Sequence, residues 1–325
     1  MKELKMNLQL FSADVNPINV TTQSSMSPTM KTFYDTTLLE NARESMIFTQ
    51  FGKKQPMKGG KVEWRKFNTF GKALTPLTEG VIPTGQTFGM TNIEGTITQH
   101  GDFTAVSDRL ELESFDDVIF GATEEMGATE GETYDTLTRN ILVAGNSVAY
   151  CPDKSGNVPE NRAAITKDCI LTPEMVSKAA TWLKKNKAPK INGSYVGIIH
   201  PNCKFDLMND PEWRKPHEYV DTENIYKNEI GEIGGVRFVQ STRAKVFKGA
   251  GANGADVYST LIIADDAYGV TEITGGGLEH IIKQKGSAGT ADPINQRATC
   301  GWKATKVAEL LVPQYIVRVE TTATP

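Results

Sequence analysis

The 325 residues carry 35 Lys plus Arg against 39 Asp plus Glu, and 39% of them are hydrophobic. A chain of that size buries a large core and is expected to divide into two subdomains. The balance lacks the basic excess of a protein that grips nucleic acid, and no apolar run approaches the roughly eighteen residues of a membrane span.

From the start of the chain, Lys2 and Lys5 precede a short Leu8-Gln9-Leu10-Phe11 patch. This is too short for a signal-peptide core, so the expectation is a chain made and used in a cytoplasm. Residues 1–26 are polar and mixed and read as an extended arm. Ser27-Pro28 then opens a helix, Ser as cap and Pro at the first helical position, with Met30, Phe33, Tyr34, Leu38 and Ala42 on one side. Such a helix either packs on its own domain or is lent to a neighbour.

Lys53–Gly60 reads as a basic turn, followed by a strand over Lys61–Phe67 with Val62 and Trp64 on one face. A second strand over Thr91–Gln99 puts Ile93 and Ile97 on a shared face. Residues 69–90 between them hold Pro76, Pro83 and four glycines and have little periodicity. A structureless loop of that length conflicts with a compact domain unless the two strands form a long hairpin whose tip leaves the body. The tip carries Leu74, Pro76, Leu77, Val81, Ile82 and Pro83, which should not stay in water. These residues either dock on another subunit or fold back on their own domain, and the residues alone leave both open.

Asp102–Leu112 continues as strand and turn into a helix from Ser114 to about Val143. Ser114 is placed to cap it, and Asp116 and Asp117 suit the positive end of its dipole. Phe115, Val118, Ile119, Ala122, Met126, Leu137 and Ile141 recur at helical spacing and are expected to face inward. About thirty helical residues would span roughly 45 Å. The apolar stripe is thin, and Gly121, Gly127 and Gly131 each cost about 1 kcal/mol relative to Ala, so this spine needs packing along its length, across a sheet.

Tyr150–Asn161 reads as a link. Thr172-Pro173-Glu174 starts a helix ending near Lys187, with Met175, Val176, Ala179 and Leu183 inward. Tyr195–His200 is a buried strand, Pro201–Met208 a helical turn, and Asp210–Asp221 a Pro-containing segment with Trp213 and Tyr219. Gly235–Ser241, Tyr258–Ala264 and Leu278–Lys283 read as strands, with glycine-rich turns at 249–254 and 275–277. Gln296–Leu311 and Gln314–Thr321 read as two strands, antiparallel about Pro313. The whole is mixed α+β without a regular βαβ rhythm.

No phosphate-binding glycine loop, nucleophile elbow or His-Glu-x-x-His occurs. Cys151, Cys169, Cys203 and Cys300 lie far apart, which points to reduced thiols. His200 and Cys203 have a metal-like spacing, but no second pair completes a zinc site. Asp265-Asp266 follows Ile262-Ile263-Ala264, where α/β enzymes place metal-binding acids; capping of the turn at Ala267-Tyr268-Gly269 explains it equally well. A metal- or nucleotide-dependent enzyme using Asp265, Asp266 and the Gly275–Gly277 loop is therefore the rival to a structural protein. No catalytic, cofactor-binding or metal-binding residue is assigned.

Several segments resemble a known family in order along nearly the whole chain. They are Ser27-Pro28 with Met30 to Asp35, Gly59 to Phe67, Leu74 to Val81, Gly101-Asp102-Phe103 with Ser107-Asp108, and Asp292 to Arg297 with Gly301-Trp302-Lys303. The chain is similar to tailed-phage major capsid proteins of the N4-like coat family, which implies the HK97-like fold. The resemblance implies an N-terminal arm and helix (1–54) and an extended hairpin loop (55–105). It further implies a peripheral subdomain with the spine helix (106–149), an axial subdomain (150–290) and C-terminal strands returning to the peripheral subdomain (291–325). Function would be self-assembly, through hexamers and pentamers, into an icosahedral shell around double-stranded DNA, without enzymatic activity, cofactor or membrane. In that family the loop lies over a neighbouring subunit. A separate scaffolding protein and a portal are expected as assembly partners, with decoration proteins as optional further ones, and no residue matches a loop cross-link. An encapsulin-like compartment shell shares the fold and is the closer alternative.

Overall fold

The computed structural model describes residues 18–19, 46–56, 60–68, 70–82, 84–113, 118–211, 229–271, 278–289 and 292–324. The expected helix after Ser27, the cap at Ser114, the segment around Trp213 and Tyr219, and the Gly275–Gly277 loop lie outside them.

Along the chain, β1 (Ile18–Asn19) and β2 (Lys53–Gln55) precede the strands β3 (Lys61–Phe67) and β4 (Met90–Thr96). β5 (Thr98–Ser107) runs into the short helix α1 (Asp108–Glu113), and the spine helix α2 (Val118–Val143) follows. Next come β6 (Val148–Tyr150), α3 (Pro173–Lys185), β7 (Tyr195–Ile199) and α4 (Pro201–Asn209). Five strands follow: β8 (Glu229–Ile233), β9 (Val236–Gln240), β10 (Val246–Phe247), β11 (Val257–Ile263) and β12 (Tyr268–Thr271). The last are β13 (Leu278–Lys283), β14 (Arg297–Lys306), β15 (Ala308–Leu310) and β16 (Ile316–Thr321).

The chain divides into two compact units. One takes Met1–Arg43, His100–Glu130 and Leu278–Ala304. Its sheet has the order β1-β5-β14-β13. The first part of α2 packs on this sheet, where the Thr123 hydroxyl lies 3.1 Å from the Cys300 thiol. On the opposite face Phe103 fills the space above Gly301, where a Cβ would come within 2.7 Å of the Phe103 Cβ.

The other unit takes Glu44–Gln99, Gly131–Gly277 and Thr305–Pro325. Its main sheet has the order β6-β16-β11-β7-β9-β8, with β10 on β11. Both faces are covered, so β7 is apolar without alternation: Tyr195 and Ile199 enter one core, Val196 and Ile198 the other. Val176, Ala180 and Leu183 of α3 and Cys203 and Leu207 of α4 complete the first core. Helix α3 starts as its sequence dictates: Thr172 Oγ1 accepts from Met175 N at 3.4 Å, Pro173 occupies the first turn, and Lys184 and Lys185 sit in the last.

Two expectations are corrected. The C-terminal strands do not pair with each other. The predicted long strand breaks at Val307: β14 ends at Lys306 and pairs with β13, while β15 pairs with β12, and β16 lies between β11 and β6. The inward face of α2 also differs from its apolar stripe. Ile119, Ala122, Met126, Leu137 and Ile141 are only half-buried, whereas Gly127, Glu130, Gly131, Tyr134, Asp135, Thr138 and Leu142 are buried. Glycines at 127 and 131 thus fall on the buried side of the helix.

Candidate assembly surface

The predicted hairpin forms, antiparallel, with Trp64 opposite Ile93 and Val62 opposite Gly95. Its base is anchored to its own unit. Val62 and Trp64 are buried with Val307, and Ile93, Ile97 and Leu311 pack around them. Two glycines make the approach: a Cβ on Gly269 would lie 2.3 Å from Trp64, and one on Gly95 would lie 2.7 Å from Val307. On the exposed face Glu63 stands opposite Glu94, an unfavourable pairing offset by Arg65 on Glu63 at 3.2 Å and Lys61 on Glu94 at 2.9 Å.

Beyond the strands Asn68 N donates to Gly89 O at 2.9 Å, and Gln86 Nε2 donates to Gly71 O at 2.8 Å. Phe88 lies against Phe67 and Phe70, with ring centroids 4.9 and 5.7 Å away. The end is a turn in which Val81 N donates to Thr78 O at 3.2 Å, with Gly80 supplying a φ of 78°. About eleven residues per arm allow a reach of up to roughly 35 Å. The expected contact residues are in water: Ile82 is 93% exposed, Leu74 83%, Leu77 78% and Val81 62%. Pro76 is exposed as well, and Pro83 lies outside the described residues.

Asp265 and Asp266 sit elsewhere, in the turn from β11 to β12. Asp265 N donates to Pro189 O at 3.0 Å, and the Asp265 carboxylate accepts from Asp266 N at 2.9 Å. Asp266, at φ 55°, pairs with Lys53 at 2.7 Å beside a cleft of about 840 Å³ under the hairpin base. Both carboxylates are thus engaged in turn and ion-pair duties. His200 Nδ1 caps α4 by accepting from Asn202 N at 3.2 Å, and its ring lies 4.9 Å from Tyr258. Cys203 is buried with its sulfur 3.6 Å from Thr321 Oγ1. Among the described residues no group of His, Cys, Asp and Glu has the arrangement to hold a metal ion, and no helix is long and apolar enough to cross a membrane.

A buried polar cluster that the sequence pattern does not signal ties α2 to residues 46–51 within the same unit. Asp135 Oδ1 accepts from Phe48 N at 2.7 Å, and its other oxygen forms an ion pair with Arg243 at 3.5 Å. Lys306 Nζ donates to Thr49 Oγ1 at 2.9 Å and stands 4.9 Å from the centre of the Tyr134 ring. The Tyr268 hydroxyl donates to Phe48 O. Burial pushes Asp135 above the usual carboxylate range and, against the pull of Asp135, takes Lys306 down to about 8. Asp135, Arg243 and Lys306 are far apart in the chain, so no local signal links them.

Comparison with known proteins places this architecture. The phage capsid protein family matches residues 107–277. The capsid protein of Ralstonia phage GP4 superposes with a TM-score of 0.66 over 94% of this chain and 96% of its own, at 13% identity. The capsid protein of cyanophage P-SCSP1u gives 0.63 over 94% and 93%, at 12% identity. A chain of the head structure of Helicobacter pylori bacteriophage KHP40 gives 0.61 over 96% and 99%, at 9% identity. No curated protein matches by sequence. The fold is the α+β, HK97-like one that the sequence resemblance implied.

Proposed function

This chain belongs to the phage capsid protein family, and from that premise we propose how it builds its shell. It is a structural protein of the virion and not an enzyme. In our reading the loop tip, formed by Leu74, Pro76, Leu77, Val81, Ile82 and Pro83, packs on a neighbouring copy of the same chain.

The observation that carries this reading is the exposure of four large aliphatic side chains on a protruding loop whose base is held by Trp64. Covering each such side chain is worth about 1.5–3 kcal/mol. Association must first offset roughly 4–15 kcal/mol of lost freedom. A subunit engaged with several neighbours meets that demand through multivalency.

The remaining parts follow the resemblance. The subdomain division at 1–54, 55–105, 106–149, 150–290 and 291–325, the N4-like placement, and closure through hexamers and pentamers belong to this proposal. So do a scaffolding protein and a portal as assembly partners, and assembly in the cytoplasm of a bacterial host. The slightly acidic balance suits an inner wall that does not adsorb double-stranded DNA.

The test is Leu77→Asp combined with Ile82→Asp. Both side chains are exposed, so the subunit is expected to fold and stay soluble but form no particles by sedimentation and electron microscopy. Normal particles would overturn the assignment.

A further inference from the structure

Glu130, which is buried, and His280, which is half-buried, form a pair outside the hairpin and its anchors. Glu130 of α2 is 1% exposed, and its Oε2 lies 3.6 Å from Nε2 of His280 on β13. Both residues belong to the unit that contains the β1-β5-β14-β13 sheet. Neither atom has a hydrogen-bond partner among the described residues, and 3.6 Å is too long for a bond between them. A buried polar atom without a partner is costly, so this arrangement is sensitive to the charge it carries.

We propose that Glu130 and His280 form a proton-operated latch, in which one proton shared by the pair holds α2 on β13 and its loss loosens that contact. With the proton present, the neutral carboxyl donates to Nε2 of a neutral imidazole that carries its own proton on Nδ1. Without it, a carboxylate is left in a dry site beside a neutral ring. Burial accounts for the direction of both groups: Glu130 is raised to about 7, and His280 is lowered from its ordinary value.

The charged groups around the pair are engaged elsewhere. Lys303 of β14 binds Glu279 at 2.6 Å, Lys285 after β13 binds Glu111 of α1 at 2.9 Å, and Arg109 binds Glu113 at 2.8 Å. On α2 itself Glu132 binds Arg243 at 3.0 Å, while Glu125 lies on the exposed side and Glu124 is half-buried. The other titratable groups of this unit among the described residues are His100 and Asp102 of β5, Asp108 of α1, Lys283 of β13, Asp292, and Arg297 and Cys300 of β14. None of these contributes to the shift of either group, for which burial is the sole cause.

A carboxyl whose folded value is raised binds its proton more tightly in the folded state. Its stabilisation is complete below the ordinary value near 4.5 and is lost as pH rises through about 7.

The test is hydrogen exchange of the amides in Leu278–Lys283, followed on the full chain from about pH 5 to about pH 9 and corrected for intrinsic exchange. Wild-type protection should fall as pH passes about 7, by at most about tenfold per pH unit, the limit for one proton. Glu130→Gln should flatten the profile and keep the strand protected at the alkaline end. His280→Gln should move the midpoint. A flat wild-type profile needs no variant and would overturn the proposal. A fall retained in Glu130→Gln, or a midpoint unmoved in His280→Gln, would overturn it too.

Discussion

Trp64 occupies the space that any side chain at position 269 would need: a Cβ built on Gly269 falls 2.3 Å from the indole. The base of the hairpin therefore rests on β12 through a glycine, and a methyl group there must displace the ring or the strand. Gly269→Ala should destabilise the chain by about 1–3 kcal/mol, the usual range for overpacking. The check is the thermal midpoint together with faster amide exchange across Lys61–Phe67. An unchanged midpoint would mean that Trp64 does not anchor the hairpin.

Lys306 gives a second prediction, with its own pH window. Its folded value is lowered from 10.5 to about 8, so the folded state holds this proton less tightly than the unfolded chain. That group's contribution is complete above about 10.5 and is lost as pH falls through about 8, a difference of about 3 kcal/mol. Asp135→Asn keeps an acceptor for Phe48 N but removes the opposing charge. The Lys306 titration, followed by NMR of its labelled side chain, should then move further below about 8. A movement upward would contradict the coupling.

Arg162 and Glu320 form the third. Two bonds of 2.8 and 2.6 Å join the guanidinium to a fully buried carboxylate, and the same guanidinium stands 3.5 Å from the centre of the Phe247 ring. A lysine can supply neither the fork nor the flat stacking surface. Arg162→Lys is expected to cost about 1–3 kcal/mol, because Arg318 at 2.9 Å still neutralises Glu320. Denaturant unfolding of the two proteins measures the difference. A loss below about 0.5 kcal/mol, the level of an ordinary surface change, would mean the pair is not structural.

Much of the fold was legible where a local signal meets a local structure. Thr172-Pro173 starts a helix because capping and fixed φ act within one turn, and Val62 and Trp64 alternate because one face of β3 is buried. The hairpin itself was readable from the misfit of an apolar, aperiodic loop between two strands. Short strands such as β2, β10 and β15 were not, since two or three residues become a strand only through the partner they meet. The inward face of α2 was misread for a related reason. Glu130, Asp135 and Thr138 look like solvent residues until Phe48, Arg243 and His280 arrive from distant parts of the chain. The loop-tip residues were identifiable as a surface patch, but the chain alone does not contain the neighbour they are proposed to meet.

The most direct measurement is high-resolution electron microscopy of shells assembled from this chain, with residues 70–82 traced. The account predicts closed particles in which Leu74, Leu77, Val81 and Ile82 are covered by an adjacent subunit. Closed particles in which that segment touches only its own chain, or stands free in solvent, would contradict it.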